Sequence, residues 1–231
     1  MVVVTGASKG IGLAIADIFG SQGFDLAICS RNEKMIQEVG QRISHLYGVK
    51  VWAFTTDLSQ KQQVLDFAQG LIALNQPIEA LINNAGLFLS GTLQTEPDET
   101  LEKLFDLNLK SVYYLTSKLL PKFIEQRNGL IVNVASVASL MPFWNCLSYT
   151  ISKHALLGFS KCLREELKPY GVRVTSLMPG ATFSASWDGT GVEPQRLMRA
   201  EDVAQIVWST FNLPANAVVE EIVMRPQLGD L

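Results

Sequence analysis

Tyr149 stands four residues before Lys153 and thirteen after Ser136, downstream of a glycine-rich run, Thr5-Gly6-Ala7-Ser8-Lys9-Gly10-Ile11-Gly12. At helical spacing Tyr149 and Lys153 share one face, with Cβ atoms roughly 5–6 Å apart. An unperturbed phenol has a pKa of about 10, too high for easy proton exchange at neutral pH. A neighbouring ammonium favours the phenolate, as does the positive ring of an oxidised nicotinamide. A pKa lowered by about 3 corresponds to roughly 4 kcal/mol, within reach of charges in a dry cleft. The expectation is a phenol of lowered pKa, acid in carbonyl reduction and base in alcohol oxidation. Ser136 ends an apolar strand-like run and is placed to hydrogen-bond the reacting oxygen. A bare Y-x-x-x-K is common on surfaces; its meaning here comes from coinciding with Ser136 and the glycine run.

The glycine run points to the other reactant. Gly6, Gly10 and Gly12 follow the first apolar run and open a helical pattern, so a phosphate can approach free N–H groups with no Cβ in its way. The spacing G-x-x-x-G-x-G differs from the commoner G-x-G-x-x-G fingerprint, and such runs also serve as plain turns. Ser8, Lys9 and Ile11 are counted with these glycines as cofactor contacts. The second strand ends Cys29-Ser30-Arg31, without the carboxylate that suits a ribose 2′-hydroxyl. Arg31 and Lys9 suit a 2′-phosphate, which favours NADP(H) over NAD(H); a solvated loop charge is the plain alternative for Arg31. Asp57, followed by Leu58, is expected to accept from the adenine amino group, with a helix N-cap as the alternative. Asn84-Ala85-Gly86, preceded by Asn83, suits a backbone passing close to a ribose, or an ordinary Asn/Gly turn.

Asn108 interrupts an apolar helical stretch, where an unbonded amide is costly. Two readings stand: it bends the helix and holds a water relaying protons to Lys153, or it is a core amide satisfied by nearby backbone. His45 and His154 are isolated and read as surface or helix-face residues, and Cys146 as a small apolar filler beside the cleft. Neither H-E-x-x-H, nor paired cysteines, nor a G-x-S-x-G elbow occurs, so neither metal hydrolysis nor serine esterase chemistry is supported.

These groups need a scaffold, and the chain alternates short β-branched runs with longer amphipathic ones. Strands are expected at Val2–Val4, Leu26–Cys29, Val51–Phe54, Ala80–Ile82, Leu130–Val134, Val172–Leu177 and Val218–Val223. Helices are expected near Ile11–Gln22, Glu33–Tyr47, Gln60–Leu74, Thr100–Gln126, Leu147–Lys168 and Ala200–Phe211. Such alternation implies an α/β doubly wound fold, a mostly parallel sheet covered on both faces. The 231 residues, 48% hydrophobic and 18% charged, read as one domain. An irregular stretch near residues 182–199 reads as a substrate flap. The net charge of −3 gives no case for nucleic acid or an anionic membrane. There is neither an apolar run of spanning length nor a signal-peptide pattern at the amino terminus. Three cysteines without a metal or disulfide spacing suggest a reducing cytoplasm.

With these residues in place, the whole chain resembles the short-chain dehydrogenase/reductase family. Thr5–Gly12 resembles its cofactor turn, Asn83–Gly86 its N-N-A-G element, and Asn108, Ser136, Tyr149 and Lys153 its catalytic tetrad. Pro179 and Gly180 resemble the segment that approaches the nicotinamide, and Thr182, more loosely, the threonine that bonds its carboxamide. The resemblance implies a seven-stranded Rossmann sheet, NAD(P)(H), no metal, and homodimers or homotetramers. The ending Glu220–Pro226 lacks the V-D-G-G of acyl-carrier-protein reductases and looks nearer to sepiapterin-reductase-like and diketone-reducing members. Leu87, Met141, Phe143, Trp144 and Trp187 are expected to wall an apolar pocket, or else to pack or form an oligomer contact. The expected activity is reduction of a carbonyl on a small to medium apolar molecule. Its competitors are a 3-oxoacyl-thioester reductase and, in another class, a non-catalytic NADP(H) sensor.

Overall fold

Val2 and Val4 face one side of a sheet and Val3 the other, and all three are fully buried. That is why the strands read as continuous apolar runs rather than alternating ones. In the computed structural model, which describes residues 1–183 and 191–231, the strands are β1 (Val2–Thr5), β2 (Leu26–Ser30), β3 (Val51–Thr55), β4 (Ala80–Asn83), β5 (Leu130–Val134), β6 (Arg173–Pro179) and β7 (Glu221–Met224). They form one sheet in the order β3-β2-β1-β4-β5-β6-β7, every neighbouring pair parallel rather than only most of them.

The helices are α1 (Gly10–Ser21), α2 (Glu33–Tyr47), α3 (Lys61–Ala73), α4 (Thr100–Phe105), α5 (Ser111–Gln126), α6 (Leu147–Leu167) and α7 (Ala200–Phe211). One core lies where α1, α2 and α7 cover Val2, Val4, Ile28 and Val132. The other lies where α3, α5 and α6 cover Val3, Ala27, Leu81 and Ile131. Strand order reverses between β1 and β4, and the turns that leave their carboxyl ends define the crevice where such sheets bind ligands.

Two elements depart from the pattern read in the sequence. The single helix expected over Thr100–Gln126 is α4 and α5 joined by a π-helical turn, Asp106–Lys110, with Asn108 inside it. A π-turn widens the helix by one residue and re-aims the side chains within it. The last strand begins at Glu221, not Val218, because the Val219 carbonyl accepts from the Thr175 hydroxyl (2.7 Å) before the ladder to β6 begins. Among the described residues, no helix is long and apolar enough to cross a membrane.

Candidate active site

Ser136, Tyr149 and Lys153 are brought together by β5 and α6. Ser136 lies just past β5 in extended backbone, and its Oγ accepts the Ala138 N–H at 3.1 Å, starting a short 3-10 turn. On α6, Tyr149 hydrogen-bonds the Ser136 side chain. Lys153 Nζ sits 5.8 Å from the centre of the Tyr149 ring and donates to the Val134 carbonyl at 3.0 Å. Lys153 is only 4% exposed, and Ser139 Oγ donates to its main-chain carbonyl at 2.8 Å.

The electrostatics correct the sequence expectation. Burial pushes the Tyr149 phenol above its ordinary pKa; the Ser136 hydrogen bond pulls it down by less, and the Cys146 thiol adds an upward push. Burial lowers the Lys153 ammonium to about 8. The enclosing cleft, expected to strengthen the amine's pull on the phenol, penalises both charged forms first. The protein alone therefore keeps a neutral phenol.

Asn108 is fully buried and its amide is satisfied by protein groups. Its Oδ1 accepts the Leu87 N–H at 2.8 Å, and its Nδ2 donates to the Leu87 carbonyl at 3.0 Å and to Ser152 Oγ at 3.1 Å. Ser152 in turn donates to the Tyr149 carbonyl at 2.7 Å. These contacts match the reading of a core amide satisfied by neighbouring groups, set within a π-helical turn. Asn108 thereby ties the segment after Gly86 to the tyrosine's helical turn.

The glycine turn depends on backbone that side chains would obstruct. Gly6 and Gly10 have φ of +66° and +58°, which side chains rarely adopt. A Cβ on Gly12 would collide with Asn84 Nδ2 and the Gly6 carbonyl. Helix α1 has neither a side-chain N-cap bond nor an acid in its first turn, so its leading N–H groups face the crevice with no competing carboxylate. Substituting Gly12→Ala is expected to weaken NADPH binding at least tenfold in a fluorescence titration; unchanged affinity would show that the turn is not the phosphate cradle.

Around this turn the remaining predicted contacts distribute unequally. Ser8 and Ile11 are half-buried within it. Lys9 and Arg31 are exposed at its rim, and neither enters an ion pair among the described residues. Asp57 Oδ1 accepts from the Ser59 N–H (3.0 Å) and hydroxyl (2.8 Å), shaping the turn before α3, whose N-cap is Gln60. Leu58 is buried. Asn84 Nδ2 reaches the Thr5 and Gly6 carbonyls at 2.9 and 3.2 Å, whereas Asn83 belongs to a buried network with Asn133 and Thr116. Gly180 N–H bonds the Met224 carbonyl at 2.7 Å beside Pro179, and the Thr182 hydroxyl donates to the Gly180 carbonyl at 3.0 Å.

Three side chains make contacts that the sequence does not reveal, Thr5 among them although it heads the glycine-rich run. Thr5 Oγ1 accepts from the main-chain N–H of both Asn84 (2.9 Å) and Ala85 (3.0 Å), locking the turn after β4 against the glycine turn. Phe88 stands edge-on to the Tyr149 ring, 5.0 Å between centres. Glu96 accepts the Ser148 N–H at 3.1 Å at the start of α6. None of these has a local signal, since each acts across more than 50 residues of chain. Of the expected apolar wall, Leu87 packs against the core instead, Trp144 is 89% exposed, and Trp187 lies outside the described residues, as do residues 184–190 of the expected flap.

A parallel doubly wound sheet with an open glycine turn at its switch point, and a Ser–Tyr–Lys group with a buried serine, a buried lysine and a half-buried tyrosine beside it, has the architecture of a nicotinamide-dependent oxidoreductase. The chain belongs to the short-chain dehydrogenase family, whose profile, described as "short chain dehydrogenase", matches residues 1–191. It is 30% identical over 224 residues to an uncharacterized oxidoreductase of Staphylococcus saprophyticus, covering 97% of this chain and 96% of that one. An alcohol dehydrogenase from the archaeon Thermococcus sibiricus, complexed with 5-hydroxy-NADP, superposes with a TM-score of 0.91 at 25% identity, over 98% of this chain and 96% of that one. A metagenomic short-chain oxidoreductase in complex with NADP superposes with a TM-score of 0.84 at 30% identity, over 98% and 97% of the two chains. The chain is therefore an enzyme of alcohol and carbonyl oxidoreduction on small molecules, with a nicotinamide cofactor.

Proposed function

We propose that this enzyme reduces the ketone or aldehyde of a small to medium apolar molecule, or oxidises the matching alcohol, and prefers NADP(H) to NAD(H). The observation that carries this is the Ser136–Tyr149–Lys153 group enclosed beside the glycine turn. When bound, the dihydronicotinamide supplies the hydride. Ser136 and Tyr149 hold the carbonyl oxygen between their hydroxyls, and the Tyr149 hydroxyl delivers the proton to it. Lys153 binds ribose and returns a proton toward the phenol, and Asn108 holds the Gly86–Leu87 segment and the tyrosine's turn in register. Gly6, Ser8, Gly10, Ile11 and Gly12 would hold the pyrophosphate. Asp57 (through its uncommitted oxygen) and Leu58 would meet the adenine, Asn84, Ala85 and Gly86 the ribose, and Pro179, Gly180 and Thr182 the nicotinamide.

The raised phenol pKa bears on direction. A tyrosine neutral at physiological pH is ready to donate, which supports reduction as the neutral-pH reaction. Reduction is expected to decline on the alkaline side as the phenol loses its proton, and oxidation to rise there; pH profiles in both directions check this.

The exposed Arg31 and Lys9 at the rim support the NADP(H) preference, as do the NADP complexes of the structural relatives. A charge-assisted bond to phosphate contributes about 1.5–3 kcal/mol, roughly 10- to 100-fold. Arg31→Ala is accordingly expected to raise KM for NADPH at least tenfold and leave KM for NADH nearly unchanged. Equal effects on both cofactors would contradict the 2′-phosphate assignment. The exposed Leu101, Tyr113 and Ile151, one on each of α4, α5 and α6, support a homodimer or homotetramer, which light scattering would test.

A panel of carbonyl compounds followed by NADPH absorbance tests the whole reading. Turnover of aromatic diketones and bulky ketones supports it. Clear preference for an acetoacetyl thioester moves the assignment to an acyl-thioester reductase, and tight NADPH binding without turnover of any carbonyl moves it to a sensor.

A further inference from the structure

We infer that Glu96, remote in sequence from the reacting groups, is a positioning residue for Tyr149, because it supplies the N-terminal cap that α6 lacks. The inference rests on reading Tyr149 as the proton donor. Helix α6 begins with Cys146 at its N-cap, with no side-chain cap from that residue and no acid in its own first turn. The leading N–H groups of a helix have no partner within it and must be satisfied from outside. Here they are satisfied by the loop that leaves β4. The Leu147 N–H bonds the Gly91 carbonyl at 3.1 Å. The Ser148 N–H bonds Glu96 Oε1 at 3.1 Å, and the Ser148 hydroxyl bonds Glu96 Oε2. A carboxylate at this place also meets the positive end of a 21-residue helix.

The loop is built around that contact. The Gly91 N–H bonds the Asn145 carbonyl at 2.7 Å, and Asn145 adopts φ +58° just before the helix. Glu96 passes directly over Gly91, where an added Cβ would collide with its Cγ. Phe88, on the same loop, packs edge-on to the Tyr149 ring. At its start the loop is clamped by Asn108 through Leu87. Tyr149 is the third residue of α6, one position beyond the bidentate contact, so the setting of its ring depends on this cap. Misplacement of a reacting group by about 1 Å is sufficient to cost on the order of 10²-fold in rate.

The test compares Glu96→Ala, Glu96→Gln and Gly91→Ala with the wild-type enzyme, by steady-state kinetics with NADPH and a turned-over carbonyl. Glu96→Ala is expected to lower kcat at least tenfold, leaving KM for NADPH within twofold, because the glycine turn is built by other elements. Glu96→Gln keeps an oxygen for the Ser148 N–H and is expected to recover kcat to within about threefold of wild type. Gly91→Ala, which displaces the Glu96 side chain, is expected to reproduce the Glu96→Ala loss. Should Glu96→Ala not fold, Glu96→Asp, too short to span both Ser148 donors, carries the same expected fall in kcat. A folded Glu96→Ala enzyme with kcat within twofold of wild type overturns the inference, as does a glutamine variant no better than alanine. Tyr149→Phe run alongside separates the two levels: if it stays active the proton-donor reading fails, whereas if it is inactive and Glu96→Ala is not, only the cap's role fails.

Discussion

Tyr149→Phe is expected to lower kcat/KM for carbonyl reduction by about 10²–10⁴-fold, the range that general acid catalysis supplies. The substitution removes one oxygen and leaves the ring, so the edge contact with Phe88 is retained and α6 keeps its packing. The hydrogen bond to Ser136 is lost. Because the Ser136 hydroxyl also accepts from the Ala138 N–H, it stays anchored and the structural cost is small. NADPH affinity by fluorescence titration should therefore stay within a few-fold of wild type. A phenylalanine variant with activity within tenfold of the parent would show that the proton comes from elsewhere, and would favour a binding protein with incidental turnover.

The second large effect has opposite signs on activity and stability. Lys153→Met should reduce turnover at least 10²-fold and at the same time stabilise the protein without ligand. Burial holds the Lys153 ammonium near a pKa of about 8, against an ordinary 10.5, with desolvation the only cause. Every tenfold change in acidity is worth about 1.36 kcal/mol, so a charged Lys153 costs the folded state about 3 kcal/mol at neutral pH. Methionine has similar length and no charge. After allowance for the lost charge-assisted bond to the Val134 carbonyl, worth about 1.5–3 kcal/mol, a net gain of at most about 1.5 kcal/mol remains. For a chain of this size that is a rise of up to roughly 3–6 °C in Tm.

The lowered lysine pKa also sets the pH dependence. Because the folded pKa lies below the unfolded one, the unfolded chain binds the extra proton between about pH 8 and 10.5, and stability rises with pH through that window. Tyr149, whose pKa is raised, acts in the opposite direction only above its ordinary value of about 10. Between pH 8 and 10 the wild-type protein should therefore gain on the Lys153→Met variant in denaturant midpoint. Parallel curves for the two proteins would show that burial does not lower the Lys153 pKa, the amine staying protonated across this window in the folded state as in the unfolded. The trade, stability given up for a functional charge in a closed cleft, is one that active sites commonly make.

Residue order alone determined the elements and most of the site. Apolar runs buried on both faces, spaced by amphipathic helices, left a parallel doubly wound sheet as the arrangement that covers every strand. The glycine turn and the Tyr149–Lys153 spacing were legible because both are local: one depends on backbone freedom within a few residues, the other on helical repeat. Tertiary structure decided three things that no local pattern encodes. It put Asn108 in a π-turn with its amide spent on Leu87 and Ser152. It recruited Thr5 and Glu96 across 79 and 52 residues to lock the turn after β4 and the start of α6. And it reversed the direction in which the Tyr149 pKa moves, because that direction follows from how completely a group is desolvated relative to its charged neighbours, a quantity that exists only once the cleft has closed around it.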